Sequence, residues 1–321
     1  MSNRHVLATG PLMRLVMQQL DTAYMVHRLW EADDPDILIA EIGDRVEAIA
    51  VGPHTPVDEA LMRRLPNLKI VSNFGVGYDT VDAIWAGRNG VYVSNTPDVL
   101  TEEVADTTLG LMLMTVRRLS ESERYLRAGR WEREGPFPLT QASLRDRRVG
   151  IVGLGRIGKA IARRLDAFRA PVVYHGRTEQ ADVPYGYHAS LVELARDVDI
   201  LVAVIPGGAD TNGLIDMEVF DALGPDGIFI NVGRGSIVDE PAMIRALQEG
   251  RIHSAGLDVF ADEPHVPQAL IDMEHVVLLP HVGSASIHTR NQMGQLVVDN
   301  IHSYFETGRP ITPVAETPIK E

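Results

Sequence analysis

A glycine-rich turn near the middle of the chain constrains the fold more than any other feature. It follows the apolar run Val149–Val152 and opens a segment whose apolar residues recur at helical spacing. This order predicts a strand, a tight turn and a helix start, where unpaired backbone N–H groups attract a pyrophosphate. The turn therefore predicts a dinucleotide site. It consists of Gly153, Leu154, Gly155, Arg156, Ile157 and Gly158.

Strand and helix patterns alternate on both sides of this turn, which is typical of α/β folds with parallel sheets. Upstream strands are predicted at His5–Ala8, Glu47–Val51, Lys69–Asn73 and Val91–Ser94. Downstream strands are predicted at Val172–Tyr174, Ile200–Val204, Gly227–Val232, His253–Asp258 and Val276–Leu279. We expect two Rossmann-like or flavodoxin-like domains, of which the second is a doubly wound parallel sheet.

Helical patterns connect these strands and suggest the domain boundaries. Helices are predicted at Leu12–Leu20, Asp58–Arg64 and Thr80–Ala86, after a cap at Thr101, after a cap at Asp239, and past His281, where apolar residues recur from Met293 to Tyr304. The segment Gly129–Ser143 is predicted to be a loop. No strand follows the last helix, so we expect it to return to the first domain. The predicted boundaries are 1–99 with 287–321 for one domain and 100–286 for the dinucleotide domain.

Composition excludes several classes of protein. The 321 residues carry a formal net charge of −14, which opposes binding to nucleic acid. Cysteine is absent, so disulfides and thiolate metal sites are excluded, and no metal is expected. The start of the chain has no long apolar segment, and no run of about 18 apolar residues occurs elsewhere. We expect a cytoplasmic protein without a membrane partner.

The residues after the second strand of the dinucleotide domain bear on which cofactor binds. A carboxylate about 20 residues beyond the glycine turn would accept the ribose hydroxyls of NAD. Gly176, Arg177 and Thr178 stand there instead, and a guanidinium with a hydroxyl suits a 2′-phosphate. The pattern favours NADPH, with NADH as the alternative.

Seven motifs in order make the chain similar to the D-isomer-specific 2-hydroxyacid dehydrogenases, from about Ser72 to the last helix. A chance occurrence would have to supply all of them in sequence. The motifs are Gly75-Val76-Gly77-Tyr78-Asp79, Asn95-Thr96-Pro97, Gly153–Gly158, Asn231-Val232-Gly233-Arg234-Gly235, Gly256-Leu257-Asp258-Val259-Phe260, Asp262-Glu263-Pro264 and Pro280-His281-Val282-Gly283-Ser284.

Three of these residues are the candidates for chemistry. His281 follows a predicted strand, where ligands of open α/β sheets bind, and a histidine can protonate a carbonyl oxygen near neutral pH. Arg234 lies between two glycines after another strand, and its guanidinium suits a substrate carboxylate. The resemblance implies that Glu263 is the carboxylate paired with His281.

The resemblance also implies ligand contacts beyond these three. The backbone N–H groups of Val76 and Gly77 are expected to bind the substrate carboxylate, and Asp258 to face the nicotinamide. Further cofactor contacts are expected at Ile205, Pro206, Val232 and Gly283.

Residues Trp131–Leu139 resemble the glyoxylate/hydroxypyruvate reductases within this family. The expected activity is reduction of glyoxylate or hydroxypyruvate by NADPH. The alternatives are the same chemistry on 2-ketogluconate or hydroxyphenylpyruvate, and a non-catalytic dinucleotide sensor. The resemblance further implies a homodimer formed through the dinucleotide domains, in which Trp131 either reaches the neighbouring subunit or packs within its own loop.

Overall fold

Two units, each built on a parallel sheet, make up the chain. The structure is a computed structural model that describes residues 3–52, 55–140 and 143–319. The first unit comprises residues 1–100 together with 286–321, and the second comprises residues 101–285.

The first unit is a five-stranded sheet with the strand order β2-β1-β3-β4-β5. Its strands are β1 (His5–Ala8), β2 (Met25–Arg28), β3 (Val46–Val51), β4 (Ile70–Asn73) and β5 (Tyr92–Ser94). Its helices are α1 (Arg14–Ala23), α2 (Pro35–Ile42), α3 (Glu59–Arg63), α4 (Ala83–Arg88) and, at the far end of the chain, α13 (Ile287–Thr307). All four strand pairs are parallel, so every connection is a crossover.

Helices cover both faces of this sheet. On one face, α2, α3 and α4 contribute residues such as Ile39, Met62 and Ala86 to an apolar core. On the other face, Val16 of α1 packs with Val297 and Ile301 of α13. The apolar residues of the last helix therefore complete the core of the unit in which the chain begins.

The second unit is a seven-stranded parallel sheet with the strand order β12-β11-β10-β9-β6-β7-β8. Its strands are β6 (Val149–Val152), β7 (Val172–His175), β8 (Gly186–His188), β9 (Ile200–Ala203), β10 (Ile228–Asn231), β11 (Ser254–Leu257) and β12 (Val277–Leu278). Its helices are α5 (Thr101–Val116), α6 (Leu119–Arg127), α7 (Arg130–Glu134), α8 (Arg156–Ala167), α9 (Leu191–Asp197), α10 (Met217–Leu223), α11 (Glu240–Gln248) and α12 (Gln268–Ile271).

Successive strands are added outward from β6 on one side and from β9 on the other, so the direction of winding reverses between β6 and β9. Helices α5 and α8 cover one face and α9, α10 and α11 the other, with an apolar core on each side. Ligands of such sheets bind beyond the carboxyl ends of the strands at this reversal. The predicted α/β fold with a doubly wound parallel sheet is confirmed.

The strand predictions were right wherever the sequence showed an apolar run, to within one or two residues at each end. Two strands were missed, β2 and β8. Each pairs with a neighbour on one side only, and each is partly exposed. Edge strands need no continuous apolar run, because solvent reaches one side of them.

The helix predictions need several corrections. Helix α4 begins at Ala83, three residues after the predicted start at Thr80, and helix α6 was not predicted. Thr101 is the first residue of α5 and not the cap before it. Helix α2 was missed, although Asp34 accepts hydrogen bonds from the amides of Asp36 and Ile37. The segment predicted as a loop, Gly129–Ser143, contains helix α7, and its residues Gln141 and Ala142 lie outside the described residues.

Other helix predictions hold. The carboxylate of Asp239 accepts from the amide of Ala242, and α11 begins at the next residue. The long final helix is present as α13. Within the described ranges, no helix is long and apolar enough to cross a membrane. The same ranges contain no group of three or more His, Cys, Asp or Glu side chains placed to hold a metal ion.

Candidate active site

The glycine turn connects β6 to α8 with the geometry that a closely approaching ligand requires. Gly153 has φ +100°, a conformation that L side chains rarely adopt. A Cβ on Gly158 would lie 2.1 Å from the carbonyl oxygen of Gly153, so only glycine lets the helix start this close to the turn. A Cβ on Gly155 would meet nothing within 4 Å, which leaves its side of the turn open.

The turn can hold the pyrophosphate of a dinucleotide. Gly155 is the N-cap of α8. It has no side chain that could accept a hydrogen bond from the first backbone amides of the helix. Such amides, together with the helix dipole, stabilise a pyrophosphate. Arg156 is exposed at the first helical position, whereas Leu154 is buried and Ile157 packs against the core.

The neighbouring strand ends lie along the same edge of the sheet. Ile205 follows β9, and its Cγ2 would be 2.5 Å from a Cβ on Gly153, so it lies directly against the turn. Pro206 is exposed beside it and accepts a hydrogen bond from the Thr211 hydroxyl at 2.9 Å. Val232 follows β10 and is 9% exposed. Three of the predicted cofactor contacts thus border the glycine turn or lie on the neighbouring strand end.

Arg234 lies in a tightly held loop after β10. The Asn231 side chain closes this loop, because its Oδ1 accepts from the Gly233 amide and its Nδ2 donates to the Arg234 carbonyl, both at 3.0 Å. The Arg234 guanidinium donates to the Gly233 carbonyl at 2.9 Å. A Cβ on Gly235 would lie 1.9 Å from the carbonyl of Phe260, so the loop packs directly against the turn that follows β11.

That turn carries Glu263, and its carboxylate has two partners. Oε1 accepts from the Phe260 amide at 3.0 Å, and Oε2 lies 2.7 Å from His281 Nδ1. The Glu263 side chain is 16% exposed and that of His281 is 39% exposed. The structure therefore brings together the histidine and the carboxylate that the resemblance pairs.

The pair sets the orientation of the imidazole. A carboxylate only accepts, so Nδ1 carries the proton shared with Glu263 and Nε2 is the ring nitrogen that can exchange a proton with a ligand. Such a ring can act as a general acid and, in the reverse direction, as a general base.

The backbone of His281 is held in a conformation that favours glycine. Its φ is +52°, which costs on the order of 1–3 kcal/mol for such a residue. Asp258 offsets this cost: its carbonyl accepts from the His281 amide at 2.9 Å, and its carboxylate accepts from the amides of Val282 and Gly283 at 2.7 and 2.8 Å. Asp258 thus positions the loop that carries the histidine.

Asp258 is 2% exposed, and burial raises its pKa. The two backbone hydrogen bonds and the nearby His281 oppose that increase. Both carboxylate oxygens already accept from the loop, and each retains a second lone pair. Asp258 therefore has a positioning role that was not predicted, and its remaining lone pairs are available for the expected contact with the nicotinamide.

The loop after β7 carries Gly176, Arg177 and Thr178. Arg177 and Thr178 are exposed, and Gly176 is half-buried. Because β7 lies next to β6 and runs parallel to it, this loop leaves the sheet at the same edge as the glycine turn. The two loops are linked, since the Gly153 amide donates to the His175 carbonyl at 2.9 Å.

The predicted carboxylate-binding amides, those of Val76 and Gly77, belong to the first unit. The carbonyls of their loop accept from side-chain amides: Asn95 Nδ2 donates to Val76 at 2.8 Å, and Asn73 Nδ2 donates to Gly77 at 2.9 Å. Within the described part of the chain, the N–H groups of Val76 and Gly77 donate to no partner. Two consecutive backbone N–H groups that lack a protein acceptor can bind an anion.

Asparagines without an assigned role hold individual loops within each unit. Asn231, Asn73 and Asn95 each close a loop by hydrogen bonds to its backbone. Each lies at or just after the carboxyl end of a strand, where a short amide side chain is typical of a local turn. Their position in the sequence was therefore an available signal for a positioning role.

Comparison with known proteins identifies the family. The NAD-binding domain of the D-isomer specific 2-hydroxyacid dehydrogenases matches residues 109–283. A solved NADPH-dependent glyoxylate/hydroxypyruvate reductase from Sinorhizobium meliloti, in complex with NADP and malonate, is 50% identical with a TM-score of 0.95, over 100% of this chain and 99% of its own.

Two curated relatives are similar over almost their whole length. Glyoxylate/hydroxypyruvate reductase A of Arabidopsis thaliana is 44% identical over 309 residues, which cover 96% of this chain and 98% of the relative. Hydroxyphenylpyruvate reductase of Plectranthus scutellarioides is 45% identical over 310 residues, with the same coverage of 96% and 98%. With the glycine turn and the His281–Glu263 pair in place, the chain belongs to the D-isomer specific 2-hydroxyacid dehydrogenases.

Proposed function

We propose that this protein reduces small 2-oxo acids to 2-hydroxy acids with NADPH, and that glyoxylate and hydroxypyruvate are its preferred substrates. The 2.7 Å contact between His281 and Glu263, beside the loop of Arg234, is the observation that carries the proposal. The similar reductases from Sinorhizobium meliloti and Arabidopsis thaliana support the choice of substrates.

The chemistry divides between the cofactor and the protein. When bound, NADPH supplies the hydride that reduces the carbonyl carbon. His281 Nε2 donates the proton to the carbonyl oxygen, which completes the hydroxyl group. Glu263 holds Nδ1, so the imidazole keeps one orientation. In the opposite direction, the neutral ring accepts the hydroxyl proton.

Arg234 and two backbone amides are proposed to bind the substrate carboxylate. The planar guanidinium of Arg234 can donate two parallel hydrogen bonds, which a lysine cannot reproduce. The N–H groups of Val76 and Gly77 provide further donors. A substrate held in this way presents its carbonyl in a fixed orientation for proton transfer.

The residues that would hold NADPH border one edge of the second unit's sheet. We propose that the glycine turn binds the pyrophosphate, that Arg177 and Thr178 bind the 2′-phosphate, and that Asp258 meets the nicotinamide. Among the described residues Arg177 forms no ion pair, so its charge is available to a phosphate. The remaining contacts are Gly176, Ile205, Pro206, Val232 and Gly283.

The experiment that tests the function compares substrates and cofactors in one assay. Loss of NADPH absorbance is followed with glyoxylate, hydroxypyruvate, 2-ketogluconate and hydroxyphenylpyruvate, and each reaction is repeated with NADH. We expect the highest kcat/KM for glyoxylate or hydroxypyruvate with NADPH. A higher value for 2-ketogluconate or hydroxyphenylpyruvate would reassign the substrate, and a higher value with NADH would contradict the role of Arg177. Cofactor binding without turnover on any of the four would favour a dinucleotide sensor.

Glu263 provides a test of the proposed proton transfer. We expect Glu263→Gln to lower kcat by about 10- to 100-fold, because the imidazolium loses a charge-assisted hydrogen bond of about 1.5–3 kcal/mol. Steady-state rates and NADPH affinity are measured together. Asp262→Asn is the matched control, since Asp262 is the adjacent acid and its side chain is 85% exposed. Equal effects of the two substitutions would contradict the role of Glu263.

We also propose that the protein forms a homodimer through the second unit. A cytoplasmic location is proposed as well. Helices α6 and α7 expose Leu126 by 55% and Trp131 by 61%, which are large apolar side chains to leave in water. Sedimentation equilibrium is expected to give twice the chain mass of 35.3 kDa. A mass equal to one chain would contradict the dimer. Recovery of the protein in a membrane fraction would contradict the location.

A further inference from the structure

The loop that carries Arg177 and Thr178 is fastened at both ends by two tyrosines and a glutamine. Three exposed residues, Arg177, Thr178 and Glu179, form its tip. Gly176 precedes the tip and Gln180 follows it, and each makes hydrogen bonds to side chains or loops of the same unit.

Tyr187 holds the first end of the loop. It lies on β8, and its hydroxyl donates to the Gly176 carbonyl at 3.2 Å. Its strand register places it opposite Tyr174 of β7, and the centroids of the two rings are 5.3 Å apart. The Tyr187 hydroxyl is therefore held in place by a ring packed against a fully buried neighbour.

Tyr174 and Gln180 hold the second end. The Gln180 amide donates to the Tyr174 hydroxyl at 2.7 Å, and Tyr174 is 0% exposed. The Gln180 side chain donates from Nε2 to the Leu154 carbonyl at 2.9 Å. Leu154 belongs to the glycine turn, so this bond couples the proposed 2′-phosphate loop to the proposed pyrophosphate site.

We propose that Tyr187, Tyr174 and Gln180 are positioning residues that set the preference for a cofactor with a 2′-phosphate. They hold the tip so that Arg177 and Thr178 already lie where the phosphate binds. This inference rests on the proposed use of NADPH, and it assigns part of that specificity to residues that do not contact the phosphate.

The physical reason is preorganisation. A guanidinium on a mobile loop binds an anion less tightly than the same group on a fixed loop, because binding must then order the loop. Loss of one anchoring hydrogen bond leaves Arg177 and Thr178 in the chain but lets the tip move. Loss of this bond is expected to weaken binding of a ligand that contacts the tip. The affinity for a ligand that does not contact the tip is expected to stay the same.

Two nucleotides separate these effects, since adenosine 2′,5′-bisphosphate differs from 5′-AMP only by the 2′-phosphate. Calorimetric titration of the full chain with each gives a ratio of Kd values, and NADPH and NADH are titrated in parallel. The test variant is Tyr187→Phe, which keeps the ring and removes the hydroxyl. Gln180→Met removes the side-chain hydrogen bond at the second end of the loop. It also keeps the inference testable if Tyr187→Phe does not fold. Arg177→Ala gives the effect of removing the proposed phosphate ligand itself.

Tyr185→Phe is the matched control. Tyr185 lies two residues before Tyr187, and its hydroxyl donates to Asp166 of α8 at 2.7 Å. Burial and this hydrogen bond raise the pKa of Tyr185 to about 12, so the hydroxyl stays protonated in the assay. The control therefore removes a tyrosine hydroxyl from the same segment without touching the loop.

We expect Tyr187→Phe and Gln180→Met each to weaken binding of the bisphosphate and of NADPH by about two- to tenfold, the effect of one hydrogen bond. Binding of 5′-AMP and NADH is expected to change little, and Tyr185→Phe is expected to keep the wild-type ratio. Equal weakening of both nucleotides would show a structural role only and overturn the inference. An unchanged ratio in both test variants would also overturn it. If the wild-type chain showed no preference for the bisphosphate over 5′-AMP, the proposed use of NADPH would itself be refuted. This result therefore distinguishes failure of the proposed function from failure of the inference about the positioning residues.

Discussion

Replacement of His281 by alanine is expected to lower kcat for 2-oxo acid reduction by about 10²- to 10⁴-fold, the usual contribution of a positioned general acid. His281 Nδ1 is bonded to Glu263, and alanine leaves no group to carry the proton to the carbonyl oxygen. The Kd for NADPH is expected to stay close to that of the wild type, because none of the proposed phosphate-binding residues is altered. Single-turnover rates and fluorescence titration with NADPH measure the two quantities.

A second histidine supplies the control for this experiment. His302 also lies beside a glutamate, with Nε2 3.1 Å from Glu306, but it is on the exposed surface of α13. His302→Ala is expected to keep full turnover. Loss of turnover in both variants would indicate a general effect of removing a histidine, and unchanged turnover in His281→Ala would remove His281 from the chemistry.

Replacement of Arg234 by glutamine is expected to lower kcat/KM for glyoxylate by about 10²- to 10⁴-fold, because two charge-assisted hydrogen bonds of about 1.5–3 kcal/mol each are lost. Arg234→Lys keeps the charge without the planar fork, so we expect an intermediate value. The KM for glyoxylate is expected to rise in both variants, whereas the Kd for NADPH changes little. Initial rates over a wide range of glyoxylate concentrations provide these constants.

Arg245→Gln is the control for charge alone. Arg245 is exposed on α11 of the same unit, and its substitution changes the net charge by the same amount. We expect it to leave kcat/KM unchanged. A similar loss in Arg245→Gln would mean that the overall charge, and not the Arg234 side chain, attracts the substrate. An unaltered KM in Arg234→Gln would contradict carboxylate binding by this residue.

The central strands of both sheets were predictable because they are buried on both faces. Burial on both faces requires an unbroken apolar run, as in Val149–Val152, and such a run is visible in the sequence. Strand β8 was not predictable in this way, because it is an edge strand with a glycine and a partly exposed tyrosine. That missed strand carries Tyr187, so the support of the loop that carries Arg177 was missed with it.

The candidate site residues were visible one by one in the sequence, because they follow predicted strands or lie in motifs. Their mutual arrangement was not. Glu263 and His281 are 18 residues apart, and their 2.7 Å contact depends on β11 and β12 lying side by side. Arg234 reaches the turn of Glu263 because Gly235 packs on Phe260, which is a contact between two loops.

Sequence patterns were sufficient to predict the central strands of both sheets, the glycine turn and the residue types that can bind a phosphate, hold a carboxylate and transfer a proton. Those properties depend on short-range periodicity and on the chemistry of single side chains. Three-dimensional packing was needed to establish that the Asp258 carboxylate holds the His281 loop by accepting from the amides of Val282 and Gly283, and that two tyrosines and Gln180 fasten the loop of Arg177. These contacts join separate strands, and strand order and register arise from packing of the whole sheet.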